Sequence, residues 1–214
     1  MVGEILADLI RGGIVTLQIA AGAWLASAVL GLLFAIPREL GLKVLRTSLS
    51  SILLSLRSTP QLVVLYLIYF GLGALGIEIS SVVAAIVALG ITDAAFTAEY
   101  YRAGFMTVPW TQREAGISLG LSRLSVLRRV VLPQVIPFVV PPLLNGFVGM
   151  LKTATLAAAV GAPEILYRGQ NDMNRTGRIV LVMMIIIALY VVVTMPLTRL
   201  VGYLEHRVRD YTHA

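Results

Sequence analysis

Five stretches of the sequence are apolar over lengths that a lipid bilayer explains better than a soluble core does. They cover residues 14–36, 60–77, 81–98, 134–161 and 179–203. A helix that crosses the hydrocarbon core needs about 20 apolar residues, whereas apolar runs in soluble core helices rarely exceed about 14. Since 58% of the 214 residues are hydrophobic and only 13% are charged, the chain has more apolar surface than a soluble domain can bury. The sequence therefore predicts one all-α integral membrane domain over residues 1–214, with five transmembrane helices.

The segment 45–56, between the first two spans, is apolar but rich in serine. It is too short to cross a bilayer as a helix. We expect an interfacial or buried helix that leads into the second span.

The first span repeats small residues at every fourth position: Ala23, Ser27, Gly31 and Ala35. Residues at this spacing lie on one face of a helix. Small residues on one face let the backbone of a second helix approach closely, which favours helix packing in lipid. The stripe therefore predicts the packing face of this span.

The basic residues are distributed unevenly between the two sides of the predicted domain. Of the 17 Lys and Arg residues, 12 lie before span two, before span four or at the C-terminal end from Arg199 onward, four lie on the other side, and Lys152 falls inside a span. Because Lys and Arg concentrate on the cytoplasmic side of membrane proteins, we expect the N-terminus outside and the C-terminus in the cytoplasm. The same scatter argues against a nucleic-acid partner, despite the net charge of +6.

The residue inventory leaves little room for catalysis. The chain has no cysteine and only two histidines, both in the C-terminal tail, so a thiolate nucleophile or a metal site is not expected. No Gly-rich phosphate loop ending in Gly-Lys-Ser or Gly-Lys-Thr occurs in the sequence. We therefore predict a chain with no catalytic residues, no metal and no nucleotide site of its own.

The segment 107–133 is the least hydrophobic long stretch and predicts a helix, a turn and a second helix. Thr111 with Glu114 three residues later has the spacing of a capping box. Gly120 allows the chain to turn, and Ser122 is suited to cap the next helix. Pro133 is expected to end or kink that helix where it enters the membrane.

The same segment resembles a known motif. Its small, acidic and Leu-Pro positions match the EAA loop of ABC-importer permeases, which reads Glu-Ala-Ala, then Gly four residues after the second Ala, then a distal Leu-Pro. The matching residues are Glu114, Ala115, Gly116, Gly120, Leu132 and Pro133. Gly116 replaces the third-position Ala, a small-for-small change. Without this spacing, an amphipathic loop between spans would indicate only a solvated connection.

Matches outside the loop resemble the polar amino acid permease family (His, Glu, Gln, Arg and opine), the membrane subunits of type I importers. They include Arg57 to Gln61, Ala98-Glu99, Leu151-Lys152 and Pro163-Glu164. The sequence departs from many relatives at Ser58, where they have Gly, and at Thr153, where they often have an acid. The second departure argues against a cationic substrate.

The resemblance implies an importer that works by alternating access in the bacterial inner membrane. Its loop would be the coupling helix that docks on an ATPase subunit. Expected partners are two ABC ATPase subunits, a second permease chain that is identical or homologous, an external amino-acid-binding protein and the lipid bilayer. No cofactor is expected on this chain, since ATP and Mg²⁺ belong to the ATPase.

Span four opens with four prolines, Pro133, Pro137, Pro141 and Pro142. Each proline removes a backbone donor and crowds the carbonyl four residues earlier, so we expect a broken helix there. Broken helices at membrane depth are where transporters bind their substrates.

Beyond the prolines, Asn145, Gly149, Lys152 and Thr155 follow at helical spacing and form one polar and small face. A lysine inside a span costs about 3 kcal/mol on insertion scales, so Lys152 should face a partner or a cavity. We expect it to bind the substrate carboxylate together with Asn145 and Thr155, while Asp93 or Glu99 of span three meets the amino group. Alternatively, Lys152 lies near the interface or pairs with an acid for structure alone, and Glu99 pairs with Arg102, one helical turn later.

Other functional classes agree less well with the sequence. A secondary amino acid transporter, or a transporter of another small solute, would usually show internal repeats, and none is visible. A membrane-embedded enzyme would need a nucleophile with its base or a set of metal ligands. We therefore predict a transport subunit and not an enzyme.

Overall fold

The structure is a computed structural model and describes residues 2–40 and 43–213. All regular elements in this part of the chain are helices. We number them α1 (Val2–Glu39), α2 (Lys43–Ser58), α3 (Gln61–Ala74), α4 (Ser81–Thr107), α5 (Trp110–Ser118), α6 (Arg123–Val160), α7 (Ile165–Thr176) and α8 (Ile179–His213).

Four of these helices are long and apolar enough to cross a membrane: α1, α4, α6 and α8. The bent pair α2 and α3 is the fifth candidate by length and composition. The predicted all-helical membrane fold is therefore confirmed, and the five predicted transmembrane helices correspond to four long helices and the bent pair.

The first span is longer than predicted. Helix α1 begins at Val2 and has 38 residues, about 57 Å at 1.5 Å per residue. The charged residues before position 14 do not interrupt it, because Glu4 lies in the first turn, where a negative charge is favourable, and Asp8 accepts a 2.6 Å hydrogen bond from the Arg168 guanidinium.

A sharp bend separates the second span from the helix before it. The last turns of α2 and helix α3 meet at 99° across Thr59 and Pro60, which fits a proline that starts a new helix. The predicted helix at 45–56 is confirmed as part of α2. The side chains of residues 43–48 lie outside the described residues, so the position of this helix at the interface stays a prediction.

Helices α1 and α4 pack along the predicted small-residue stripe. Ala23 and Ser27 are fully buried and Ala35 is 2% exposed. A Cβ atom added to Gly31 would lie 2.7 Å from Thr97 Cγ2 and 2.9 Å from the backbone N of Ala98. The predicted packing face is therefore confirmed, and the absence of a side chain at position 31 sets the distance between the two helices.

Successive spans run in opposite directions. Contacts between Glu39 and Arg113 bring the end of α1 to the loop that contains α5, which we call the loop end. The start of α1 contacts Arg168 of α7, and we call this the far end. If the bent pair counts as one span with the four long helices, the two termini lie at opposite ends of the bundle.

The prediction of a helix broken at the prolines is wrong. Residues Leu132–Thr153 form a continuous α-helix that includes Pro137, Pro141 and Pro142. The φ angle of proline is itself helical, and Pro133, Pro137 and Pro141 are four residues apart, so the missing N–H groups lie on one face. Pro133 accordingly does not end the helix.

The backbone departs from α geometry on either side of this proline segment. A wider π-helical turn occupies Leu127–Val131, and a tighter 3₁₀ segment occupies Ala154–Val160. Gly161 ends the helix in the left-handed conformation, with φ of +74°. The irregular backbone of α6 therefore flanks the proline segment, with the π-helical turn before Pro133 and the 3₁₀ segment starting two residues after Lys152.

Candidate functional site

The loop between α4 and α6 contains the predicted helix, turn and helix. Its first helix starts two residues earlier than expected, because Pro109, in an extended conformation, is the N-cap. The predicted capping box at Thr111 is therefore wrong. The Glu114 carboxylate instead accepts a 2.7 Å hydrogen bond from the Trp110 indole N–H.

Gly120 makes the turn, as predicted. Its φ is +81°, its N–H donates to Ile117 O at 2.9 Å and the N–H of Leu121 donates to Gly116 O at 3.2 Å. These two bonds are a Schellman motif, which terminates a helix through a left-handed residue. The Ser122 hydroxyl then accepts from the Ser125 N–H at 3.2 Å and caps α6, so that prediction is also confirmed.

The EAA-like residues divide into a buried and an exposed group. Gly116 is buried, and a Cβ atom there would lie 2.9 Å from Val126 Cγ2 of α6, so the small residue lets the two helices touch. Leu132 is half-buried and packs in the apolar cluster that contains Val126. Glu114, Ala115 and Pro133 are exposed and free to meet another molecule.

The loop and the last turn of α4 also expose large apolar side chains. Met106 is 72% exposed, Trp110 63% and Leu119 82%, and Ile117 is also exposed. Large exposed apolar patches on a loop mark interaction surfaces. We call Met106, Trp110, Ile117 and Leu119 the loop patch.

Arg113 lies beneath the Trp110 ring of this patch and was not identified from the sequence. Its side chain is buried, and the guanidinium donates to Glu39 of α1 at 2.6 Å and to Phe105 O of α4 at 2.6 Å. It also donates to Val108 O. In the local sequence, only the position of Arg113 beside the EAA-like residues could have indicated a role, because its partner Glu39 is 74 residues away.

The polar face predicted on α6 is present. Asn145 and Lys152 are exposed, and a Cβ at Gly149 would meet no heavy atom within 4 Å. The Thr155 hydroxyl donates to Lys152 O at 2.8 Å, at the start of the 3₁₀ segment. The Lys152 ammonium has no hydrogen-bond or ion-pair partner among the described residues, although Leu151 beside it is 2% exposed.

The two acidic candidates of α4 have different surroundings. The Thr97 hydroxyl lies 3.4 Å from Asp93 Oδ2 and 3.4 Å from the Ser27 hydroxyl. Glu99 forms an ion pair with Arg102 and lies 3.5 Å from Arg57. The expected local pair between Glu99 and Arg102 is therefore confirmed.

The antiparallel packing of α4 and α6 gives the relative height of these groups. Gly104 faces Val135 and Val139, and Gly146 faces the Tyr100 ring. Because the two helices are antiparallel, each residue further along α6 lies level with one residue earlier in α4. On this basis Lys152 lies at about the height of residues 89–94. Asp93 is at this height, whereas Glu99 is closer to the loop end.

A buried acid, Glu164, lies at the far end and, like Arg113, was missed as a site residue. Glu164 is fully buried, its carboxylate accepts the Tyr167 N–H at 2.7 Å, and the Thr16 hydroxyl lies 3.4 Å from it. Burial raises the pKa of the Glu164 carboxyl to about 7, against the opposing effect of these hydrogen bonds. Thr16 in turn accepts the Ile165 N–H at 3.2 Å, so this cluster joins α1 to α7.

Comparison with known families identifies the arrangement. The sequence model of a family described as binding-protein-dependent transport system inner membrane component matches residues 27–210. The chain belongs to this family.

Individual relatives are similar over most of their length. The chain is 37% identical to the probable amino-acid ABC transporter permease protein YckA of Bacillus subtilis, over 74% of this chain and 70% of that protein. It is 32% identical to the probable glutamine ABC transporter permease protein GlnM of the same organism, over 90% of this chain and 89% of that protein. This inner membrane component therefore resembles permeases along nearly its whole sequence.

Solved structures share the fold. A crystal structure of an amino acid ABC transporter with histidines contains a chain with a TM-score of 0.84 and 33% identity, with 94% of each chain covered. The inward-facing MetNI methionine ABC transporter gives a TM-score of 0.76 at 23% identity, over 94% of this chain and 95% of that chain. The fold of this family member is therefore the type I ABC importer permease fold.

Proposed function

We propose that this chain is the membrane-spanning permease subunit of an ABC importer for polar amino acids. Family membership and the amino-acid permeases among its relatives support the transport function. The observation that supports an importer driven by a separate ATPase is the loop patch, because these apolar side chains lie on the loop that has the EAA-like residues.

In this proposal the loop docks on an ATPase subunit. Glu114, Ala115 and the loop patch would contact the ATPase, while Gly116, Gly120, Leu132 and Pro133 hold the shape of the loop. ATP and Mg²⁺ would belong to two ATPase subunits, and the permease would bind neither. An external amino-acid-binding protein would deliver the substrate at the far end.

The proposed orientation puts the loop end in the cytoplasm. The division of the basic residues, 12 against four, supports it. A reporter that is active only in the cytoplasm should work when fused after Ala214 and fail when fused near Gly3. The opposite result would overturn this orientation.

We propose the substrate site on the exposed face of α6. An amino acid in a low-dielectric pathway needs both of its charges met, because an unpaired charge is costly there. Lys152 supplies a positive charge for the carboxylate, with Asn145 on the same face and Thr155 at its end. Asp93, at the same height, is better suited to the amino group than Glu99, which is already engaged with two arginines.

The exposure of Lys152 also supports a second permease chain. An ammonium that has no partner in the described part of the chain and lies within a span costs about 3 kcal/mol against lipid. Water or another protein chain must therefore cover this face. We infer that the pathway lies between two permease chains, which expose it to one side and then the other as the ATPases close and open.

The test is reconstitution of the permease in liposomes with and without its ATPase subunits and binding protein. We expect uptake of a labelled polar amino acid only with ATP and all components, and a panel of neutral, acidic and basic amino acids then defines the substrate. Uptake by the permease alone, driven by an ion gradient, would instead indicate a secondary transporter. ATP-dependent uptake of another solute only would refute the substrate class.

A further inference from the structure

Arg113 connects three helices at the loop end. The residue belongs to α5, Glu39 Oε1 at 2.6 Å from its Nε belongs to the end of α1, and Phe105 O at 2.6 Å from its Nη2 belongs to α4. A further hydrogen bond reaches Val108 O, just after α4. One planar guanidinium thus fixes α5 to the ends of two membrane-spanning helices.

The environment of this contact makes it rigid. Arg113 is 8% exposed, and the Glu39 side chain is 16% exposed. The guanidinium lies beneath the Trp110 ring, with 5.8 Å between Cζ and the ring centroid. The fork of arginine donors has a fixed geometry, and a buried charge cannot leave its partner without a large desolvation penalty. The contact therefore resists displacement of α5 relative to α1.

Other bonds between the loop and the spans are more exposed. Arg123 donates to Leu40 O at 3.1 Å, and Gln134 donates to Gln112 at 2.7 Å, both at the surface. Water competes for exposed bonds of this kind, so they hold position weakly. Among the described contacts, the pair of Arg113 and Glu39 is the buried charged link between α5 and α1.

We propose that Arg113 is a positioning residue for coupling, which makes α5 and the ends of α1 and α4 move as one rigid body. A displacement imposed on α5 then moves α1, and is not absorbed within the loop. The tight packing of α1 on α4 at Gly31 carries the displacement along both helices. This inference rests on the proposed function, in which an ATPase moves α5.

The first test replaces Arg113 with methionine, which keeps the apolar stem and removes the fork. In the reconstituted complex we expect ATPase binding to change by less than about 3-fold and ATP hydrolysis to persist, while substrate transported per ATP falls by about 10-fold or more. Glu39→Gln should give an intermediate loss, and the double variant should be no worse than Arg113→Met alone, because both changes break one link. Arg128→Met is the matched control, an exposed arginine of the same loop, and should transport normally.

A second measurement does not depend on uptake. Because the chain has no cysteine, single cysteines at exposed Ser118 of α5 and Leu33 of α1 can be spin-labelled selectively. With Arg113 unchanged, we expect one narrow distribution of distances between the two spin labels, both with and without ATP. In Arg113→Met the distribution should be broad. A distribution that stays narrow in the variant, or a normal yield of transport per ATP, would overturn the inference.

The outcomes separate the two proposals. If the complex with wild-type Arg113 shows no ATP-driven uptake, the proposed function fails. If that complex transports and Arg113→Met transports equally well, the coupling role fails alone. Loss of ATPase binding in both Arg113→Met and Arg113→Lys would assign Arg113 to docking and refute the role in transmission.

Discussion

Replacing Gly120 with valine tests whether the turn after α5 controls docking of the ATPase. Gly120 has φ of +81° and stands in a Schellman motif. A Cβ atom at this position would meet no heavy atom within 4 Å. An added Cβ therefore meets no neighbouring atom, and the cost expected for the substitution is that of the backbone conformation.

The magnitude follows from that conformation. A left-handed residue with a Cβ costs about 1–2 kcal/mol, and a β-branched residue is among the least tolerated there. The population of loops with the native turn should fall accordingly, which weakens binding of a partner that needs this turn by at most about 5- to 30-fold. Asparagine tolerates the left-handed region, so Gly120→Asn should weaken binding much less.

The assay is a titration of permease in lipid nanodiscs with purified ATPase subunit. Gly202→Val is the matched control, because Gly202 lies in α8 with no heavy atom within 4 Å of an added Cβ and has no positive φ. Thermal unfolding of each variant checks that the spans remain folded. Binding by Gly120→Val as tight as by the wild type, or equal loss in Gly120→Asn and Gly120→Val, would refute the reasoning.

Three further predictions concern the spans and the far end. Burial raises the pKa of Glu164 from 4.5 in the unfolded chain to about 7, so its contribution to stability is fully present below about pH 4.5 and is lost as the pH rises through about 7, a change of about 3 kcal/mol. Unfolding in detergent at several pH values should show this loss in the wild type and not in Glu164→Gln. Equal pH profiles of the two proteins would contradict the prediction. Gly31→Leu should destabilise the folded protein by about 2–3 kcal/mol through overpacking against Thr97 and Ala98. Gly13→Leu is the control, because an added Cβ there meets nothing within 4 Å, and it should cost less than about 1 kcal/mol in the same unfolding assay. Equal effects of the two substitutions would mean that the α1–α4 contact is not close-packed. Lys152→Met should abolish most substrate uptake while assembly and basal ATP hydrolysis persist, and unchanged uptake kinetics would remove Lys152 from the site.

The features predicted correctly from the sequence depend on interactions between neighbouring residues. The small-residue stripe repeats at the period of the helix, and Gly120 and Ser122 act through hydrogen bonds between residues three to five positions apart. Such short-range chemistry can be read from one segment at a time. The exposed face of Asn145 and Lys152 was predictable for the same reason.

The errors and omissions have longer-range causes. Glu39 is the partner of Arg113 from 74 residues away, and Thr16 is the partner of Glu164 from 148 residues away, so neither link is visible in a local pattern. The predicted first span covers only the apolar run 14–36, whereas α1 begins at Val2 and the charge of Asp8 pairs with Arg168, 160 residues away. The proline segment was expected to break because each proline was judged alone, although their common spacing leaves the missing donors on one face.

Helix α1 connects the two ends of the bundle through side chains that only the tertiary structure brings together. At the loop end Glu39 contacts Arg113, at mid-height the Trp24 indole N–H donates to Leu143 O of α6 at 2.7 Å, and at the far end Asp8 pairs with Arg168 of α7. The helix has 38 residues, about 57 Å, and it is packed tightly on α4. Helix α1 is continuous through Pro37 to Glu39, so a displacement at Glu39 would act on its contacts with α6 and α7. The proposed movement of α5 would therefore reach α6, which has Lys152, and the far end through one helix, with no need for a chain of small rearrangements between them.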